Sequence, residues 1–119
     1  MLTLKDVKDV LSADLLWGEQ ILDQQVSSCC GSDLMSDVLA FVKNQAILLT
    51  GLLNPQVVRT AEMMDMVCIV FVRNKRPTEE MLQLAAEHDM VVLATSKRMY
   101  EACGKLYQAG LYTLGESNE

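Results

Sequence analysis

Three short apolar runs constrain the fold of this chain more than any other feature. They cover residues 46–49, 67–72 and 90–94, and they are apolar on both faces and rich in β-branched side chains. Strands that lie buried between two layers of a protein have this pattern, because neither of their faces meets water. The three runs therefore predict the central strands of a sheet.

Amphipathic segments separate these strands. Residues 55–65 and 78–88 each place their apolar side chains on one stripe of a helix, and a last helix is predicted to begin at residues 95–96. The pair Asn54-Pro55 is typical of a helix start, with a capping residue before proline. Strands that alternate with helices at this spacing indicate parallel strands with right-handed crossovers. We therefore predict a three-layer α/β fold, a mainly parallel sheet flanked by helices.

The first third of the chain is less regular. Thr3 and Asp6 have the spacing of a capping box at the start of a helix. The segments predicted there are a helix at 3–11, strands at 15–17 and 26–30, and a helix at 33–43. Residues 1–112 are predicted to form a single α/β domain, followed by a polar tail at 113–119.

Charge and hydropathy limit the classes of partner. The chain has 16 Asp and Glu against 10 Lys and Arg, a net charge of −6, whereas nucleic-acid binding requires a basic face. No stretch approaches the roughly 20 apolar residues of a membrane span, and the N-terminus does not resemble a signal peptide. The four cysteines do not have the spacing of a disulfide framework. We therefore expect a cytoplasmic protein without nucleic-acid or membrane partners.

Polar and basic side chains cluster where the predicted strands end, which is where open parallel sheets bind ligands. Basic residues beside helix N-termini are unfavourable unless something negative also binds there. This pattern favours a site for a phosphate or carboxylate, with solvated surface charges as the alternative. The residues predicted to line the site are Asp33, Thr50, Gly51, Asn54, Arg73, Lys75 and Lys97.

The turn after the first central strand is the most distinctive local feature. Gly51 is predicted either to let the backbone approach a ligand closely or to form an ordinary strand-to-helix turn. Neither the P-loop pattern GxxxxGK[ST] nor GxGxxG occurs in the sequence. No cofactor is identified.

Three other patterns contain residue types that can form chemical sites. Asp33 and Asp37 are spaced to share one face of a helix, which suits either a metal or, more commonly, the helix dipole. His88 is the only histidine, and it lies at the end of a helix away from the strand carboxyl ends. Cys29 and Cys30 do not match zinc or iron–sulfur spacing, although a redox role stays open. We therefore predict neither catalytic residues nor metal ligands.

Residues 31–40 and 46–55 together resemble the DRTGG domain family. The resemblance continues through residues 69–72 and 100–103 and covers about residues 1–112. The family's name-giving motif is only partly present. Its Asp is matched by Asp33, with leucine in place of the arginine, and its Thr-Gly by Thr50-Gly51, with leucine in place of the second glycine.

The resemblance implies a noncatalytic, free-standing DRTGG domain with a fold similar to the N-terminal domain of HPr kinase/phosphorylase. It also implies a homodimer and an accessory role beside a partner enzyme or sensor kinase. We therefore expect a regulatory domain that binds a small anionic ligand, such as a nucleotide. The alternative is a homodimeric module that docks on a partner enzyme without a small ligand, and an enzyme is a remote alternative.

Overall fold

The computed structural model describes residues 2–41 and 46–112 of the chain. A single 3₁₀ turn, Glu19–Ile21, lies between the second and third strands. The elements in chain order are β1 (Leu2–Thr3), α1 (Leu4–Val10), β2 (Asp14–Trp17), β3 (Gln25–Val26), β4 (Cys29–Gly31), α2 (Met35–Phe41), β5 (Ile47–Thr50), α3 (Pro55–Met63), β6 (Cys68–Phe71), α4 (Glu79–Glu87), β7 (Val91–Ala94) and α5 (Met99–Ala109).

Five of these strands form the central sheet in the order β2-β7-β6-β5-β4. The pairs β4–β5, β5–β6 and β6–β7 are parallel, and β2 pairs with β7 in the antiparallel direction. The predicted three-layer α/β fold with a mainly parallel sheet is confirmed. Because the four parallel strands point the same way, the segments that follow them all lie on one side of the sheet. We call this side, where the strands end, the carboxyl edge.

Both faces of the sheet are covered by helices. Successive strand residues enter opposite faces, so Ile47 and Leu49 of β5 join one core with α1 and α5, whereas Leu48 joins the other core with α2, α3 and α4. Every residue of β5, β6 and β7 is buried. This double burial explains why these strands are apolar throughout rather than alternating.

The start of α1 has the predicted capping box. The backbone N–H of Asp6 donates to Thr3 Oγ1 at 3.1 Å, and the backbone N–H of Thr3 donates to Asp6 Oδ2 at 2.9 Å. The exchange satisfies two N–H groups that a helix start otherwise leaves unpaired. Leu4 and Val7 on the inner side of this helix are fully buried.

Two predicted helix starts are wrong. The last helix begins at Met99 rather than at residues 95–96, since Thr95 donates to the Leu11 carbonyl at 2.8 Å and accepts from the Lys97 amide. The helix α2 begins at Met35 rather than at residue 33, and its predicted end at residue 43 lies outside the described residues.

The predicted strand at 26–30 is two strands that serve different sheets. β3 pairs with β1, which was not predicted, and β4 pairs with β5. Ser28 lies between them, and its buried hydroxyl accepts a hydrogen bond from the Ala46 amide at 3.0 Å. The polar residue therefore separates the two strands.

The chain after α5 returns to the outer edge of β4. The Cys29 amide donates to the Tyr112 carbonyl at 3.2 Å, and Ser28 and Tyr112 form a parallel bridge. None of the helices in residues 2–41 and 46–112 is long and apolar enough to cross a membrane. The predicted tail at 113–119 lies outside the described residues, and the domain boundary stays a prediction.

Candidate functional site

The Asp33 carboxylate joins the segments that follow β4 and β5. Its Oδ1 atom accepts a hydrogen bond from Thr50 Oγ1 at 3.0 Å and another from the Gly51 backbone N–H at 2.7 Å. Thr50 is fully buried, whereas about half of the Asp33 side chain is exposed. A hydroxyl and a backbone N–H thus converge on one anionic oxygen at the carboxyl ends of the strands.

Arg73, which follows β6, completes this group from the neighbouring strand. Its Nη2 atom lies 3.9 Å from Asp33 Oδ2, and the arginine side chain is 47% exposed. A Cβ placed on Gly51 would overlap the guanidinium group and lie 3.1 Å from its Cζ. Gly51 therefore does permit a close approach, and the group that approaches is the chain's own Arg73.

The backbone around Arg73 is held in an uncommon conformation. Arg73 and Asn74 have φ angles of 58° and 60°, which place both in the left-handed region. The Arg73 amide donates to the Lys97 carbonyl at 2.8 Å, and the Asn74 amide donates to the Thr95 carbonyl at 2.9 Å. These bonds fix the loop after β6 against the loop after β7, so Lys97 lies next to Arg73 along the edge.

The two lysines of the predicted site differ in their surroundings. Lys97 is about one-fifth exposed, and its Nζ lies 3.9 Å from Glu101. Lys75 is exposed, in a turn closed by its amide to the Val72 carbonyl. Neighbouring Arg76 is paired with Asp14 at 2.7 Å, so it contributes little free positive charge. The edge carries Arg73, Lys75 and Lys97 against the single charge of Asp33 within the predicted set.

Asn54 is the first residue before α3, but it does not cap the helix. Its side chain makes no capping hydrogen bond, and its Oδ1 atom is buried without a hydrogen-bond partner among the described residues. A buried acceptor left unpaired costs about 1–3 kcal/mol. Asn54 therefore supplies an unpaired hydrogen-bond acceptor three residues after Gly51.

The predicted pairing of Asp33 with Asp37 on one helix face is wrong. Asp33 precedes α2, and its carboxylate points to Thr50 and Gly51, while Asp37 is an exposed residue in the first turn of the helix. Within residues 2–41 and 46–112, no group of three or more His, Cys, Asp or Glu side chains is arranged to hold a metal ion.

His88 lies on the opposite side of the sheet, where the parallel strands begin. It ends α4, ahead of β7, and lines a cavity of about 240 Å³ with Glu62, Asp65, Met66 and Met90. It is therefore separated from the Asp33 group by the length of the strands, as its position in the sequence predicted.

Three cysteines surround a small cavity of about 120 Å³ beside β4. Cys29 and Cys30 line it with Cys103 of α5. Burial, followed by the neighbouring thiol Cys103, raises the pKa of Cys29 to about 12 and that of Cys30 to about 11. The thiols are therefore protonated at neutral pH, which makes them poor nucleophiles and poor metal ligands.

Two features of the structure were not predicted from the sequence. Asn74 belongs to the left-handed loop, and its residue type is a signal for that conformation, because Asn tolerates positive φ. Tyr100 and Tyr107 are exposed on the outer side of α5, and their spacing of seven residues places them on one helix face.

Comparison with solved structures finds the same fold in another protein. The chain is similar to the CBS and DRTGG domains of the regulatory region of Clostridium perfringens pyrophosphatase, crystallised with its activator, diadenosine tetraphosphate. The TM-score is 0.71 at 14% sequence identity, over 95% of this chain and 51% of that one. The chain thus spans about half the length of that structure. No family model matches the sequence, and no curated protein matches it. The likeness shows a shared fold, in agreement with the DRTGG resemblance.

Proposed function

We propose that this chain is a noncatalytic regulatory domain that binds a small phosphate-bearing ligand at the edge formed by Asp33, Thr50, Gly51 and Arg73. The observation that carries the proposal is the set of donors around the Asp33 carboxylate. A buried hydroxyl, a backbone N–H and a guanidinium group converge on it within 3.9 Å. Phosphate oxygens are bound by the same donor types in proteins.

The charge at this edge supports an anionic ligand. Arg73 is half exposed although it lies near Asp33, so its outer side is open to a second anion. Lys97 is held beside it through the backbone bond between the Arg73 amide and the Lys97 carbonyl, and Lys75 lies in the same loop as Arg73. A phosphate group would add negative charge beside these three cations, of which Arg73 and Lys97 make only long contacts of 3.9 Å, with Asp33 and Glu101.

The unpaired Asn54 Oδ1 atom supports a ligand that carries a hydrogen-bond donor as well as a phosphate. A nucleotide has both, in its base or ribose and in its phosphates. Because the atom is buried, access to it requires the turn at residues 51–54 to shift. The nucleotide activator of the similar pyrophosphatase region agrees with this class of ligand.

The second candidate is a docking module that binds no small molecule. It is favoured by the exposed tyrosines of α5, of which Tyr100 is 93% exposed. Under either function the action is on another protein, for which a partner enzyme or sensor kinase stays a prediction. A cytoplasmic location also stays a prediction.

A thermal-shift screen against adenine and guanine nucleotides, NAD(H), pyrophosphate and phosphate tests the proposal. A ligand at about 100 times its dissociation constant adds about 2.7 kcal/mol to the free energy of unfolding. In a domain of this size, the midpoint then rises by several degrees. Any shift is followed by titration calorimetry on the wild type and its variants.

Arg73→Ala and Thr50→Val are expected to lose the shift, and Arg59→Ala is the matched control. Arg59 is an exposed arginine on α3 that takes no part in the Asp33 group. A flat screen, or binding that Arg73→Ala leaves unchanged, would contradict the ligand site and favour the docking module.

A further inference from the structure

The outer face of α5 carries an exposed aromatic patch. Tyr100 is 93% exposed and Tyr107 is 65% exposed. The Tyr107 ring meets the ring of Tyr112 edge-on, with centroids 4.8 Å apart, which restricts its motion. Large aromatic side chains gathered on one open face are typical of an interaction surface.

A glycine lies at the centre of this face without a reason inside the described chain. Gly104 is in the middle of α5, and a Cβ placed on it meets no atom within 4 Å. Glycine in a helix interior costs about 1 kcal/mol relative to alanine. Its useful property there is to let another backbone approach closely. The helix therefore has the form expected where a second helix packs against it.

The face is complementary to itself. At 3.6 residues per turn, Tyr100 and Tyr107 lie on one flank of Gly104, and Glu101 and Lys105 lie on the other. The midpoint of positions 100 and 107 lies between 103 and 104, and the midpoint of 101 and 105 is 103. Both pairs are thus centred within about one residue of the glycine.

A two-fold axis through that centre determines which residues of the two copies lie opposite each other. It brings two antiparallel copies of α5 together, with Tyr100 opposite the second copy's Tyr107 and Glu101 opposite its Lys105. A parallel arrangement would instead place the tyrosine flank against the charged flank. The Glu101 carboxylate is available for such a pair, because its bridge to Lys97 is long, at 3.9 Å, and exposed.

We propose that the α5 face binds the α5 face of a second copy of this chain, antiparallel and with the two Gly104 residues at the crossing. The DRTGG resemblance implies a homodimer, and the proposal goes beyond that expectation by assigning the face and the orientation of the pair. None of its residues belongs to the Asp33 group. A face made by one helix is smaller than the roughly 800 Å² per subunit of a standard interface. We therefore expect a weak dimer, with a dissociation constant in the micromolar range.

Sedimentation velocity over a concentration series tests the interface. The wild type is expected to pass from monomer to dimer, whereas Gly104→Gln and Tyr100→Ser each raise the dissociation constant by about tenfold or more. Glutamine favours the helix over glycine, so this variant keeps its fold, which circular dichroism verifies. Met63→Ser is the matched control, because Met63 is an apolar residue that is 64% exposed on α3.

A charge exchange tests the antiparallel arrangement. Glu101→Lys is expected to weaken the dimer, and the double variant Glu101→Lys with Lys105→Glu is expected to restore it to near the wild-type constant. A wild type that stays monomeric up to about 100 µM, far above the constant expected for such a face, overturns the proposal. So does a Gly104→Gln variant that associates as the wild type does, or a double variant that stays as weak as Glu101→Lys.

Discussion

Asp33 accepts a hydrogen bond of 2.7 Å from the Gly51 backbone N–H, across 18 positions of the chain. This bond holds the loop after β4 against the end of β5. The same Oδ1 atom also accepts from the hydroxyl of Thr50. One exposed carboxylate therefore satisfies two donors that belong to buried residues.

Asp33→Ala is expected to destabilise the fold more than Asp33→Asn. Alanine leaves the Gly51 N–H and the Thr50 hydroxyl without their acceptor, at about 1–3 kcal/mol for each unpaired buried group. Asparagine keeps an acceptor oxygen in place. Urea denaturation of the two variants measures the difference, and equal midpoints would show that water replaces the carboxylate at no cost.

Asp33→Asn is also expected to bind pyrophosphate more tightly than the wild type. The substitution removes a negative charge near the Arg73 guanidinium, and a half-exposed pair of this kind contributes about 0.2–1 kcal/mol. The gain in affinity is therefore about twofold to fivefold, measured by titration calorimetry. Weaker binding by Asp33→Asn would show that the carboxylate positions the ligand instead of competing with it.

Gly51→Ala is expected to weaken ligand binding. Its Cβ would overlap the Arg73 guanidinium, which must then swing away from the site. The arginine is long, flexible and half exposed, so the loss of unfolding free energy is small, about 1 kcal/mol or less. Calorimetry and denaturation of the same variant separate the two effects, and wild-type affinity would show that the position of Arg73 over Gly51 is unimportant.

The central elements follow from the sequence because their signals are local. The strands β5, β6 and β7 lie where runs of apolar residues predict them, since both faces of each strand are buried. The predicted start of α5 was wrong because Thr95 is not part of the helix. Its hydroxyl instead donates a hydrogen bond to the carbonyl of Leu11, 84 positions away. No pattern within a window of the sequence records such a contact.

The candidate site was predictable to a similar extent. The rule that parallel strands end at one edge brings together Asp33, Thr50, Gly51 and Arg73, as expected. The sequence does not show that Gly51 accommodates Arg73, because that contact depends on the left-handed loop after β6. It was also misleading for Asp37, since a four-residue spacing pairs two carboxylates only if the helix includes both.

Gly18→Ala is expected to cost more stability than Gly110→Ala. Both glycines have left-handed backbones, with φ of 109° and 114°, so each substitution strains the chain. At Gly18 the new Cβ would also lie 2.8 Å from Cγ2 of Val91 in the sheet, whereas at Gly110 it would meet nothing within 4 Å. We expect about 1 kcal/mol for Gly110 and 2–4 kcal/mol for Gly18. Equal losses in urea denaturation would show that backbone strain alone sets the cost.

The fold is expected to lose stability as the pH rises above about 9, in part through Cys29. Its pKa is about 12 in the folded chain against 9.0 for a free thiol. The unfolded chain therefore releases the proton first, and rising pH favours unfolding between these two values. Denaturation at a series of pH values should give a shallower decline for Cys29→Ala than for the wild type. Parallel curves would contradict the raised pKa.

The bond between the Cys29 amide and the Tyr112 carbonyl has a consequence for how the sheet meets other proteins. An edge strand with free amides is a template on which an extended peptide from another chain can add. At β4 that place is already taken by the chain's own returning segment. A partner that adds a strand beside β4 would first have to displace Tyr112. Recognition through side chains on the helices and loops meets no such barrier.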